Sequence, residues 1–206
     1  MAINHVIRYG KGLLQALTVG LTLFVTAAPV NSQSAEPSKD TSSLVLLLRH
    51  ALAPGGGDPA GFDVNDCRTQ RNLSDEGRDQ ARHIGKQLKD MGMQPSAIWS
   101  SQWCRSFETA TLMDLGKVSA LPWLNSYFQN RAAGPAQIEG LRHFLRNLDP
   151  TGGPYIMSSH HVVIGDLTDI WVGSGDGVWI ELTGRKDQPW NVYPVRTDKI
   201  TLPPGY

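Results

Sequence analysis

Leu44-Val45-Leu46-Leu47-Leu48-Arg49-His50-Ala51 is an unbroken apolar run that ends in two side chains able to carry positive charge. Five consecutive aliphatic residues without polar alternation predict a strand covered on both faces, as in a largely parallel sheet with helices on either side. In such sheets ligands gather beyond the carboxyl ends of the strands. Arg49 and His50 therefore stand where a site belongs, although a solvated strand end would carry the same residues.

Outward from this run the chain alternates strands with helices. Ala53-Pro54-Gly55-Gly56-Gly57, continuing to Phe62, is too rich in Gly and Pro for regular structure and reads as a long binding loop or lid. Ser74 is placed to cap a helix whose first turn holds Asp75 and Glu76 and whose apolar stripe is Ala81, Ile84, Leu88 and Met91. Ala97 to Ser100 is a second strand, and Ser101 is the expected cap of a helix from Gln102 to Leu115, which puts Arg105 in its first turn. A cation there opposes the helix dipole unless an anion shares the site. Val118 to Leu121 is a third strand, and Pro135 opens a helix that turns Ile138, Leu141, Phe144, Leu145 and Leu148 inward. Tyr155 to Ser159 is a strand with His160 and His161 at its end, followed by helical spacing from Val162 to Val172 and by two late edge strands, Val178 to Leu182 and Val192 to Arg196. Gly173 to Gly177 precedes a strand instead of opening a helix and reads as a turn. The alternation predicts a three-layer α/β/α sandwich with a mostly parallel central sheet.

The chain has 206 residues and equal numbers of basic and acidic side chains, 19 of each. This balance points away from a nucleic-acid binder and a polybasic membrane-surface protein. Residues 1–35 carry Arg8 and Lys11, an apolar stretch from Leu13 to Ala28 and a tail of small residues, the pattern of an export signal. An uncleaved anchor is the alternative, and would be the chain's one membrane contact. Residues 36–43 form a polar linker, and 44–206 are expected to form one domain in the periplasm or outside the cell. There Cys67 and Cys104, the two cysteines, can form one bridge; two free thiols are the other reading.

Strand ends thus bring Arg49, His50, Arg105 and His160 to one edge of the sheet. Two arginines and two histidines, with no cysteine or acidic cluster, suit an oxyanion and no metal or other cofactor. A neutral imidazole beside fixed cations can attack phosphorus, and the other can donate to phosphoryl oxygens.

At these residues the chain resembles the histidine phosphatase superfamily, with its phosphoglycerate-mutase-like fold. Leu48-Arg49-His50-Ala51 is similar to the family's Arg-His-Gly signature, Leu73-Ser74-Asp75-Glu76-Gly77-Arg78-Asp79-Gln80-Ala81 to its helix start, Ser101 to Ala110 to its Ser-x-x-x-Arg segment, and Ser159-His160 to its late histidine. The resemblance implies phosphate-monoester hydrolysis with His50 as the phosphate-accepting nucleophile and Arg49, Arg105 and His160 as the phosphate pocket. Arg68, Arg71 and Ser101 are the further substrate-binding candidates. With the export signal, the chain looks like the exported bacterial subgroup that includes a lipopolysaccharide heptose phosphatase, so the expected partner is a small phosphorylated molecule such as a sugar phosphate or envelope glycolipid. Two departures stand out. Ala51 replaces the signature glycine, and Asn125 to Gln129 hold no carboxylate where the family's general acid usually follows the third strand. Glu139, Asp166, Asp63 and Asp66 are distant candidates, and the acid is unassigned. A phosphate-binding protein without efficient turnover is therefore the rival function.

Overall fold

Leu44–Arg49 (β1) lies inside a six-stranded sheet with Ala97–Ser100 (β2), Val118–Ala120 (β3), Tyr155–Ser159 (β4), Gly177–Leu182 (β5) and Trp190–Val195 (β6). The computed structural model describes residues 1, 2, 10 and 40–206, so the expected export signal apart from those three positions, and residues 36–39 of the linker, fall outside the described residues. Strand order is β3-β2-β4-β1-β5-β6. β1 pairs parallel with β4, β4 with β2 and β2 with β3, whereas β5 and β6 continue the sheet antiparallel.

Among the described residues four α-helices cover the sheet: Asp75–Asp90 (α1), Cys104–Leu112 (α2), Gly134–Arg146 (α3) and His161–Thr168 (α4). The period of two along β1 sorts its side chains between two cores. Leu44, Leu46 and Leu48 pack with Ile84 and Leu88 of α1, Ala110 of α2 and Met113 just after it. Val45 and Leu47 pack with Leu141 and Leu145 of α3 and Val162 and Val163 of α4. All five aliphatics are fully buried, and removal from water contributes about 1.5–3 kcal/mol for each large side chain. This is the expected three-layer arrangement, and it fixes where β1 ends.

Local chemistry accounts for the departures. Ser74 caps α1 as expected, accepting from the Gly77 amide. α2 begins at Cys104, after Trp103, which makes no side-chain cap; the Ser101 hydroxyl accepts from the Trp103 amide at 3.2 Å and also lies against His160. α4 stops at Thr168, where Asp169 takes a left-handed φ of 60°, and Ile170 to Val172 leave the helix. β5 is an inner strand, not an edge: it lies between β1 and β6. At Gly177 a Cβ would come within 2.2 Å of the Leu47 carbonyl oxygen, so this register requires glycine.

Candidate active site

The parallel β1–β4 register opposes Arg49 to Ser159, and the His50 amide donates to the Ser159 carbonyl at 2.9 Å. The residues that follow each strand, His50 and His160, consequently stand side by side, with ring centroids 5.3 Å apart and edges facing. Arg105, in the first turn of α2, donates through Nε to His50 Nε2 at 3.3 Å. With Arg71, Asp58 and a rim from Gly55 to Gly57 these groups line a cavity of about 200 Å³. Arg49 also lines it and donates through a terminal nitrogen to the Val172 carbonyl, but its Nε is buried with no hydrogen-bond partner. An unmet buried donor is costly, by about 1–3 kcal/mol, unless a ligand meets it.

Burial and then the neighbouring guanidiniums hold the His50 imidazole well below its ordinary range, against the opposing effect of its bond to Ala51. His160 is pushed down by burial, then by His50 and Arg105. His161, beside the pocket, is lowered by burial and by Arg49. Both site histidines are therefore neutral at pH 7, and His50 presents a lone pair.

The backbone after His50 is held from three sides. Thr109 accepts from the Ala51 amide at 3.0 Å, Gln80 accepts from the Leu52 amide at 2.9 Å, and the Gly175 amide donates to the His50 carbonyl at 3.1 Å. Gln80 also donates to the Ser174 carbonyl, so the Gly173–Gly177 turn is packed beneath the site. Gly77 lets α1 approach this segment, since a Cβ there would lie 2.0 Å from the Leu52 carbonyl oxygen. Ala51 is not among the residues with positive φ, which is why alanine serves where the resembling signature has glycine.

Asp58 is the residue that sequence reasoning missed. Its carboxylate forks onto Arg105, at 2.7 and 3.1 Å, and also accepts from the Trp103 indole and the Arg71 amide. Both side chains of the pair are 3% exposed. Burial alone would raise the Asp58 carboxyl, but Arg105, Trp103 and the Arg71 amide outweigh it and hold it below the usual carboxylate range. Only its place in a Gly/Pro loop expected to bind ligand hinted at this.

Of the other candidates, Arg71 reaches the cavity and donates to the carbonyls of Gly57 and Ala53. Arg68 does not: its side chain is 89% exposed and forks onto Asp66, which sits two residues before it and caps the same short turn. Ser101 does not line the cavity either; its hydroxyl lies 2.9 Å from His160 Nε2 and within reach of Asn125, so it orients the histidine. Asp63 and Asp66 serve their own turns, Glu139 pairs with Arg146, and Asp166 accepts from Tyr127. Cys67 and Cys104 are bonded, tying the loop that carries Arg71 to the first residue of α2.

No curated protein matches the chain in sequence. Among solved structures, the protein histidine phosphatase SixA in complex with tungstate matches at 18% identity and a TM-score of 0.58, over 75% of this chain and 97% of that one. A putative α-ribazole-5′-phosphate phosphatase from Escherichia coli matches at 14% identity and a TM-score of 0.58, over 79% of this chain and 100% of the other. A mycobacterial glucosyl-3-phosphoglycerate phosphatase matches at 16% identity and a TM-score of 0.50, over 73% and 96%. At these identities the likeness is one of fold. Residues 45–126, which carry Arg49, His50 and Arg105, match the histidine phosphatase superfamily (branch 1), and with that fold they support a phosphoric monoester hydrolase.

Proposed function

We propose that the chain is an extracytoplasmic phosphatase that hydrolyses a small phosphate monoester through a phosphohistidine at His50, without a metal. The observation that carries this reading is the charge of the cavity. Three guanidiniums, Arg49, Arg71 and Arg105, face one carboxylate, Asp58, and the histidines are neutral, so two positive charges remain for a phosphoryl dianion. Arg49 and Arg105 hold the phosphoryl oxygens, and His160, oriented by Ser101, donates to them as charge builds. The lone pair on His50 Nε2 attacks phosphorus, the ester bond breaks, and water then cleaves the phosphorus–nitrogen bond. The protein's own guanidiniums supply the positive charge that a metal would otherwise bring.

The export-like residues 1–35 and the Cys67–Cys104 bond support a place outside the cytoplasm. No described helix is long and apolar enough to cross a membrane. The cavity mouth favours an ester with a body beyond the phosphate, such as a sugar phosphate or the headgroup of an envelope glycolipid, because exposed Phe128 and Trp171 flank His161.

The test is turnover and trapping. Purified protein given a ³²P-labelled monoester should release phosphate and, on rapid denaturation, retain an acid-labile label. His50→Ala should lose both, by roughly 10³-fold or more in rate. Vanadate binding without turnover in the unaltered protein would instead favour the phosphate-binding reading.

A further inference from the structure

An alkoxide leaving a phosphate ester needs a proton, and the position after β3 offers no acid: Asn125 accepts from the Gln102 amide, and Gln129 is bonded to the Asp58 backbone. Resting on the phosphatase reading above, we infer that Asp58 is the proton donor to the leaving group: it releases Arg105 as the phosphoryl group arrives and passes a proton to the ester oxygen.

Asp58 is the one carboxylate among the described residues that line the cavity. The alternatives carry no proton to give. His50 is the nucleophile, and burial with neighbouring guanidiniums keeps His160 and His161 neutral. Asp58 sits on the same guanidinium that contacts His50, bonded end-on through both terminal nitrogens of Arg105. A phosphoryl dianion is the ligand that can displace it, because it competes for that fork with greater charge. Three other contacts keep the displaced residue at the cavity: the Trp103 indole and the Arg71 amide on its side chain, and Gln129 on its backbone. The turn that must adjust already uses glycine where φ is positive, at Gly55 (92°) and Gly57 (70°).

The protons balance. The ester enters as its dianion and displaces Asp58 from Arg105, and the freed carboxylate takes a proton from solvent, which it gives back when it returns to the arginine. His50 Nε2 forms a bond to phosphorus as the phosphorus–oxygen ester bond breaks, and the departing oxygen takes the proton from Asp58. In the second half a water oxygen attacks phosphorus, Asp58 accepts the water's proton, and the electrons of the phosphorus–nitrogen bond return to Nε2.

The experiment compares two esters on one preparation. p-Nitrophenyl phosphate releases a stable phenolate and needs little protonation, whereas β-glycerol phosphate releases an alkoxide. Because kcat/KM reads only the phosphoryl transfer to His50, Asp58→Asn should lower it for the alkyl ester by about 10²-fold or more while changing it for the aryl ester by only a few-fold, and Asp58→Glu should restore part of the alkyl value. Taking the ratio of the two rates cancels any loss of folded protein. The unaltered enzyme provides a second measurement: its kcat/KM across substituted phenyl phosphates should depend only shallowly on leaving-group basicity. An unchanged ratio in Asp58→Asn, or a steep dependence in the unaltered enzyme, overturns the proton-donor role while leaving the phosphatase intact. Absence of turnover on every ester in the unaltered protein instead overturns the phosphatase reading, and this role with it.

Discussion

His50 Nδ1 lies 2.8 Å from the Ala51 carbonyl oxygen, which can only accept, so the neutral ring carries its proton on Nδ1 and its lone pair on Nε2, facing Arg105. The one hydrogen bond both fixes the tautomer and aims the lone pair of the proposed nucleophile.

Stability should fall on mild acidification. His50, His160 and His161 all have folded values depressed below the ordinary value near 6.5, chiefly by burial. Their unfolded forms therefore take up protons that the folded forms refuse, so stability is flat above about pH 6.5 and drops below it, by about 1.4 kcal/mol per pH unit for each of the deeply buried His50 and His160 and by less for half-buried His161. Asp58, also depressed, adds its loss only in more acid solution, as pH falls through and below about 3.9. Urea titrations at pH 7 and 5 measure the drop, and His50→Asn should make it shallower by one proton. Equal stability at the two pH values would contradict burial of neutral histidines.

Arg105→Ala should destabilise the domain by about 3–5 kcal/mol, because it leaves the Asp58 carboxylate buried without its partner. Arg105→Ala combined with Asp58→Ala should recover much of that stability without recovering vanadate affinity. If the double variant is no more stable than the single one, the loss comes from packing around the arginine and not from the stranded charge.

Gly77→Ala replaces a poor helix former inside α1, yet it should cost about 1–3 kcal/mol because its Cβ meets the Leu52 carbonyl oxygen. Turnover should fall too, since Leu52 belongs to the segment that sets His50. Gly56→Ala, with open space around it, is the matched control and should leave thermal stability nearly unchanged.

Reducing the Cys67–Cys104 bond, which spans 37 residues, should lower stability by about 3–4 kcal/mol on the chain-entropy account. Because the bond anchors the loop carrying Arg71, ester binding should weaken more than binding of free phosphate. Calorimetry and phosphate competition before and after reduction measure the two effects, and equal weakening of both ligands would show that the loop holds its place unaided.

What could be read from the chain beforehand was local or periodic. Leu44 to Leu48 announced a doubly covered strand because five aliphatics leave no face for water, and the strand ends then placed Arg49, His50 and His160. Ser74 announced α1 because its hydroxyl meets an amide three residues on. The misses depend on partners far along the chain. Asp58 reads as loop composition until Arg105, 47 residues later, folds against it. Ser101 reads as a helix cap, and its hydroxyl does accept from the Trp103 amide, but the helix starts only at Cys104 and the same hydroxyl lies against His160, 59 residues on. Arg68 and Arg71 look alike in sequence, and only the disulfide-bound loop separates them, turning one to solvent beside Asp66 and the other to the cavity.

The Asp58–Arg105 pair also bears on how the site empties. A carboxylate tethered to its own chain is a competitor that never diffuses away, and apparent affinity for any oxyanion drops by the fraction of molecules in which it holds the arginine. That competition acts on the entering ester and returns when inorganic phosphate is all that remains. Holding substrate and product equally tightly would not quicken the chemical step. On the reading proposed above, a pocket with its own displacing anion would favour release of product after each cycle, and its output would follow the supply of ester more than accumulated phosphate.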